Sequence, residues 1–200
     1  MSSHYYSEKP TVDSEVRDWT FSLRGQTLKF YSDRGVFSKS EVDFGSKLLI
    51  ESFVFPDLKG DLLDVGCGYG PIGLSLAASE KSRVLHMVDV NERALQLSKR
   101  NAERNSIDNI NVYKSNCLDQ VTKTDFAVIL TNPPIRAGKN VVHTIFEQSF
   151  DHLKEEGELW IVIQKKQGAP SAMEKLQSLF GEVEIIVKKK GYYIIKAKKV

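Results

Sequence analysis

The sequence is poor in features that define several classes of protein. Its two cysteines, Cys67 and Cys117, are too few for a disulfide framework and lack the spacing of a metal site. No apolar run is long enough to span a membrane, and the polar start is not a signal peptide. Lys and Arg number 28 against 26 Asp and Glu, so the net charge of +2 alone indicates no polyanionic partner. These absences predict a cytoplasmic protein with neither a metal nor a membrane anchor.

What is present has the composition of one globular domain, with 41% hydrophobic and 27% charged residues. Two alternating segments, 19–23 and 27–31, flank Arg24-Gly25-Gln26 and predict a β-hairpin. Apolar residues at helical spacing between Asp43 and Phe53 predict a helix. We expect residues 1–40 to form an N-terminal extension with the hairpin, and residues 41–200 to form the main domain.

From residue 61 onward the strand and helix patterns alternate. Alternation of this kind predicts a mostly parallel sheet with helices on both faces. The last two strands meet at Gly191 without a helix between them, so they must pair antiparallel. The sequence therefore predicts an α/β, doubly wound, Rossmann-like fold with a seven-stranded sheet and a C-terminal antiparallel hairpin. The predicted strands are 62–65, 84–90, 110–113, 126–131, 159–164, 183–188 and 192–197, and the predicted helices are 71–79, 92–105, 141–154 and 171–180.

A glycine-rich loop, Asp64-Val65-Gly66-Cys67-Gly68-Tyr69-Gly70, joins the first parallel strand to a helix. Asp89 follows the second strand at a spacing typical of a carboxylate that binds both ribose hydroxyls. Residues 68–73 also match the G-x-G-x-x-G fingerprint, so a nicotinamide-dependent oxidoreductase stays open. Against it, Asp64 would repel a pyrophosphate, whereas it would suit the ammonium group of S-adenosylmethionine. We assign seven residues of these segments to the cofactor: Asp64, Gly66, Cys67, Gly68, Gly70, Asp89 and Val90.

The strand predicted at 126–131 ends in Asn132-Pro133-Pro134. Pro133 has no N–H to donate, and its ring biases Asn132 towards an extended conformation. The result is a stiff tip that holds the Asn132 amide and the Pro133 carbonyl in place. Both can accept hydrogen bonds from a planar –NH₂ group, so the tip is the predicted catalytic segment for methylating an exocyclic amine.

With these motifs in place, the chain resembles the class I S-adenosylmethionine-dependent methyltransferases over residues 35–200. It is most similar to the small-domain branch that includes bacterial ribosomal RNA guanine-N2 methyltransferases. The resemblance implies methyl transfer to an exocyclic amine of an RNA base, with guanine N2 of ribosomal RNA preferred and ribosomal RNA or a ribosomal subunit as partner. Adenine N6 and a protein glutamine amide are the alternatives. It also implies that Phe37 faces the methyl group or the base and that Asp43 lies at the pocket floor.

The chain departs from the family pattern at several positions. The acidic residue that often binds the adenine amino group is absent. We assign Asn116 and Cys117 at this place to the cofactor, and the Asn116 amide oxygen can accept that hydrogen bond without charge assistance. Ile135 stands where an aromatic residue often stacks on the target base, so stacking must come from elsewhere. Relatives often carry a second, degenerate copy of the domain, for which 200 residues leave no room. Arg136 and Lys139 follow the catalytic segment, and we expect them to contact RNA phosphates.

Overall fold

In the computed structural model, the described residues are Glu8, Asp13, 15–36 and 41–200. They form a two-stranded sheet, a seven-stranded sheet and five α-helices. The strands are β1 (Arg17–Leu23), β2 (Gln26–Ser32), β3 (Leu62–Val65), β4 (Leu85–Asp89), β5 (Ile110–Lys114), β6 (Phe126–Thr131), β7 (Leu153–Gln164), β8 (Glu182–Lys189) and β9 (Tyr192–Lys198). The helices are α1 (Phe44–Ser52), α2 (Pro71–Ser79), α3 (Glu92–Arg104), α4 (Lys139–His152) and α5 (Ala169–Leu179).

The large sheet has the strand order β5-β4-β3-β6-β7-β9-β8. Strands β3 to β7 run parallel, and β9 pairs antiparallel with both β7 and β8. This confirms the predicted doubly wound sheet and its terminal hairpin. Val65 lies beside both Val88 and Thr131, so β3, β4 and β6 end at the same edge. The segments that follow these strands are therefore brought together at that edge.

Helices cover both faces of the sheet, which explains the continuous apolar runs of its central strands. Every residue of β3 and β6 is buried. Neighbouring residues of one strand face opposite sides: Leu62 belongs to one hydrophobic cluster and Leu63 to the other. Among the helices formed by described residues, none is long and apolar enough to cross a membrane.

The N-terminal hairpin is confirmed, with Trp19 opposite Phe30 across β1 and β2. It packs on the large sheet's helices through Asn101, which is fully buried. The Asn101 Oδ1 accepts from the Tyr31 N–H (2.6 Å), and its Nδ2 donates to the carbonyls of Tyr31 (2.9 Å) and Tyr69 (2.8 Å). One amide thus ties the hairpin to the glycine loop. The division of the chain at residue 40 stays a prediction.

The boundary between α4 and β7 differs from the prediction. Helix α4 ends at His152, and β7 begins at Leu153, six residues before the predicted start of the strand. The segment 154–158 is mostly charged, and Glu156 has a positive φ of 65°. Its strand conformation comes from pairing with neighbouring strands, which the local pattern does not reveal.

Candidate active site

A cavity of about 530 Å³ opens at the edge where β3, β4 and β6 end. This volume is typical of sites for small organic ligands. Its wall combines the glycine loop, the end of β4, the Asn-Pro-Pro tip and the start of β9. The predicted site residues on this wall are Gly66, Cys67, Gly68, Asp89, Val90, Cys117, Asn132, Pro133, Pro134, Ile135 and Arg136.

The glycine loop leaves room for a ligand to approach its backbone. Gly66 and Gly68 have positive φ angles of 74° and 58°, a conformation that favours glycine. A Cβ at either position would meet no atom within 4 Å. The space that a side chain would take at these two positions is therefore open, and a ligand in the cavity can approach the loop backbone closely.

Asp89 is held in the cavity wall by two backbone amides. Its Oδ2 accepts from the Gly68 N–H (2.9 Å), and its Oδ1 accepts from the Asn91 N–H (2.8 Å). Burial raises the pKa of Asp89, and these two hydrogen bonds act in the opposite direction. Each carboxylate oxygen has a further lone pair, so Asp89 can accept from a pair of ribose hydroxyls while it keeps the loop in place.

Asp64 lies beneath the loop and not in the cavity wall. Its side chain is fully buried, and Oδ2 accepts from the Gly73 N–H (2.9 Å) in the first turn of α2. Oδ1 has no hydrogen-bond partner among the described residues. Burial, with a smaller contribution from the charge of Asp89, raises the pKa of Asp64 to about 7, and the hydrogen bond from Gly73 acts in the opposite direction. The expected contact with a cationic amino group needs Asp64 at the cavity surface, and this geometry does not place it there.

Three other predicted site residues that the structure describes, Asn116, Gly70 and Lys139, are not on the wall of this cavity. Asn116 is exposed and donates its N–H to Gln120 Oε1 (2.7 Å), whereas Cys117 turns into the wall with a φ of 48°. A Cβ on Gly70 would meet Leu74 Cδ1 at 2.8 Å, so this glycine serves packing. Lys139 lines a smaller neighbouring cavity. Phe37 lies outside the described residues.

The Asn-Pro-Pro tip presents two acceptors. The Asn132 Nδ2 donates to Ser46 Oγ (3.0 Å) and Asp43 Oδ2 (3.3 Å). Since a carboxylate only accepts, this pairing assigns the amide orientation and leaves Asn132 Oδ1 as an acceptor. The Pro133 carbonyl accepts from the Ile135 N–H (2.9 Å) across a tight turn at Pro134, with φ −76° and ψ 78°. One lone pair of that carbonyl remains for a ligand.

Sequence reasoning missed several wall residues that come from distant segments. Ser46 orients Asn132 from α1, Gln164 ends β7, and Tyr192 begins β9. Gln164 and Tyr192 could have been suspected from the sequence because each lies at the end of a predicted strand. That position alone did not show on which face of the sheet either side chain lies. Asp43, which the resemblance places at the pocket floor, lies on the wall. Within the described part of the chain, no group of three or more His, Cys, Asp or Glu could hold a metal ion.

Comparison with known proteins places the chain in a family. The family model described as methyltransferase small domain matches residues 27–196. The chain belongs to this family. Membership confirms the resemblance drawn from the Gly-rich and Asn-Pro-Pro motifs, and with it an S-adenosylmethionine-dependent methyltransferase with S-adenosylmethionine as methyl donor. It decides against the nicotinamide-dependent oxidoreductase.

Individual relatives of this methyltransferase fall into two groups. The uncharacterized protein YbxB of Bacillus subtilis (strain 168) is 65% identical over 201 residues and is covered completely, as is this chain. The ribosomal RNA small subunit methyltransferase C of Vibrio parahaemolyticus is 32% identical over 196 residues, which cover 96% of this chain and 55% of that protein. The chain thus spans about half the length of the methyltransferase C proteins it matches.

A solved structure supports the same fold. The T. thermophilus 16S rRNA N2 methyltransferase RsmC, in complex with AdoMet and guanosine, superposes with a TM-score of 0.82. The match covers 96% of this chain and 52% of that chain at 24% identity. At this identity the likeness shows the fold and not the substrate.

Asp89→Ala should weaken binding of S-adenosylhomocysteine by at least roughly 10-fold, because it removes charge-assisted hydrogen bonds worth roughly 1.5–3 kcal/mol each. Calorimetry on the purified protein measures this. Glu92→Gln, which neutralises a nearby carboxylate outside the cavity wall, should leave the affinity unchanged. Tight binding of NADH with no heat from S-adenosylhomocysteine would contradict the assignment of Asp89.

Asp64→Asn should flatten the pH dependence of the free energy of unfolding between pH 4 and 7. The folded-state pKa of about 7 lies above the ordinary 3.8. The stability that protonated Asp64 contributes is therefore complete below pH 4 and is lost as the pH rises through 7. The slopes of variant and wild type should differ by up to about 1.4 kcal/mol per pH unit, measured by urea unfolding. Equal slopes, or the same change in the exposed control Asp108→Asn, would refute the burial effect.

Proposed function

We propose that this methyltransferase transfers the methyl group of S-adenosylmethionine to an exocyclic amine of an RNA base, with guanine N2 of ribosomal RNA as the target. The observation that carries the proposal is the pair of acceptors at the Asn-Pro-Pro tip. Asn132 and Pro133, which carry these acceptors, are both on the wall of the cavity that the glycine loop and Asp89 also line. When bound, S-adenosylmethionine supplies an electrophilic methyl group on a sulfonium.

An aromatic amine is a poor nucleophile because its lone pair is delocalised into the ring. Two acceptors that bind its two N–H groups favour a geometry in which the lone pair points out of the ring plane, towards the methyl donor. They also stabilise the positive charge that develops on nitrogen in the transition state. Asn132 and Pro133 therefore act as acceptors and orienting groups. No strong base is needed, since the methylated ammonium loses its proton readily.

The surroundings of Asn132 strengthen this role. Asp43 accepts from the amide Nδ2, and a hydrogen bond of this kind polarises the amide so that Oδ1 becomes a better acceptor. Ser46 holds the same nitrogen from the first turns of α1. The acceptor is thus fixed before the substrate arrives, which reduces the reorganisation needed during the reaction.

Support for RNA comes from the relatives and from local charge. Relatives that are 31–34% identical are named ribosomal RNA small subunit methyltransferase C, and the structure of RsmC contains guanosine. In this chain, Arg136 lies on the cavity wall. Three lysines of the C-terminal hairpin differ in their surroundings. Lys196 and Lys198 form ion pairs with Glu184 and Glu156, respectively. Lys190 instead lies over the ring of Phe44, near the cavity. Phosphate contacts are therefore proposed at the rim and not along the whole hairpin.

A base inside a duplex cannot reach this cavity, so the proposed target is single-stranded or flipped out. The test is to incubate purified protein with labelled S-adenosylmethionine and either naked ribosomal RNA or ribosomal subunits, and then to identify the methylated nucleoside. N2-methylguanosine supports the proposal. N6-methyladenosine, or label in protein glutamine, would move the target to one of the alternatives.

Asn132→Ala should lower kcat by roughly 100- to 1,000-fold, as expected for the loss of one preorganised transition-state hydrogen bond. The affinity for S-adenosylhomocysteine should stay nearly intact, because Asn132 is assigned to the amine. Single-turnover methylation and calorimetry measure the two quantities separately. Near-normal turnover in this variant would show that Asn-Pro-Pro is only a structural turn.

Arg136→Ala combined with Lys139→Ala should weaken RNA binding and leave cofactor binding unchanged. Each lost phosphate contact should flatten the slope of log affinity against log salt by about 0.7 to 0.9. Titrations at several salt concentrations give this slope. Lys81→Ala, an exposed lysine beyond α2 at the opposite edge of the sheet, is the matched control. An unchanged slope in the double variant would place the RNA elsewhere on the surface.

A further inference from the structure

Tyr192 is an aromatic side chain on the cavity wall that the proposed reaction has not used. Of the described wall residues, Tyr69 is also aromatic, but it is only 1% exposed and packs edge-on against Trp19 and Phe30. Tyr192 is half-buried, so part of its surface faces the cavity. It comes from the start of β9, a segment far from the catalytic motif in sequence.

Tyr192 lies next to the group that orients Asn132. A Cβ built on Gly45 would be 2.9 Å from Tyr192 Cε1 and 3.2 Å from Asp43 Oδ2. Both atoms therefore lie against the same point of α1, so the tyrosine ring and the Asp43 carboxylate are immediate neighbours. That carboxylate accepts from Asn132 Nδ2, so Asp43 stands between the ring and the proposed catalytic amide. Any side chain on Gly45 would displace the ring.

The ring is also held in one orientation. Its centroid is 5.4 Å from that of Phe44 with the planes tilted by 52°, and its hydroxyl accepts from Gln164 Nε2 (2.5 Å). Gln164 pairs with Tyr192 across β7 and β9, so both partners stand on the rigid sheet. A ring fixed on two sides loses little conformational entropy when a ligand stacks on it.

Ile135, on the same cavity wall, directly follows Asn-Pro-Pro. An isoleucine offers apolar contact but no π face. We propose that Tyr192 supplies the aromatic face on which the target base stacks while its amine is held by Asn132 and Pro133. This inference rests on the proposed function, because the base that Tyr192 would hold is the substrate of that reaction. It makes Tyr192 a substrate-binding residue supplied by the C-terminal hairpin.

The test measures binding of free nucleosides to protein saturated with S-adenosylhomocysteine. Tyr192→Leu keeps an apolar side chain but removes the π face, and should weaken guanosine binding by about 10-fold or more, as found when stacking aromatics are removed. Tyr192→Phe keeps the face and should retain most of the affinity. Adding Ile135→Tyr to Tyr192→Leu should restore binding, because it places an aromatic ring at another point of the same cavity wall. Binding of S-adenosylhomocysteine in each variant reports whether the cavity stays intact.

The outcomes separate this inference from the proposed function. If adenosine binds better than guanosine but still depends on Tyr192, the target base is wrong and the stacking role stands. If Tyr192→Leu binds nucleosides as well as the wild type, or if Tyr192→Phe loses as much affinity as Tyr192→Leu, the stacking role is refuted. A loss confined to Phe37→Leu would assign the stacking face to Phe37 and would also overturn the inference.

Discussion

The hydrogen bonds from the Asn132 amide to Asp43 and Ser46 are the contacts on which the site depends. They join helix α1, which precedes the sheet in sequence, to the tip of β6. Asp43 also begins α1, since its Oδ2 accepts from the Ser46 N–H (3.0 Å). The same carboxylate therefore caps a helix and fixes the orientation of the proposed acceptor. Loss of this carboxylate would remove one of the two hydrogen bonds that orient the Asn132 amide and would weaken its control over the position of the amine.

The glycine loop is maintained at a cost in stability. Asp64 is buried with one oxygen unpaired among the described residues, and burial raises the pKa of its carboxyl to about 7. The charge of Asp89 contributes a smaller part of this rise. An apolar residue would pack at position 64 without that penalty, but it could not accept from the Gly73 N–H. The arrangement is typical of sites in which a fixed loop geometry is needed more than maximal stability.

Much of the fold could be predicted because its signals are local. The boundaries of β3, β6 and α2 were predicted to the residue, since Gly66 follows β3, Asn-Pro-Pro follows β6, and α2 begins at Pro71 after Gly70. The start of β7 was missed because pairing with β6 and β9, not local propensity, makes the charged segment after Leu153 a strand. The polar segment after β5 was harder still: the positive φ of Cys117 turns that residue into the cavity and leaves Asn116 outside.

The sequence by itself determined the family, the doubly wound fold class and the positions of Asp89 and Asn132 after their strands. Both residues follow strands whose carboxyl ends must meet in a doubly wound sheet, so their convergence follows from topology. Only the tertiary structure decided that Asp64 lies under the loop and that Ser46 and Tyr192 reach the cavity. The physical reason is that these contacts depend on how α1 and the β9 strand pack across the sheet. Such packing brings together residues far apart in the chain, and no periodicity within a segment records it.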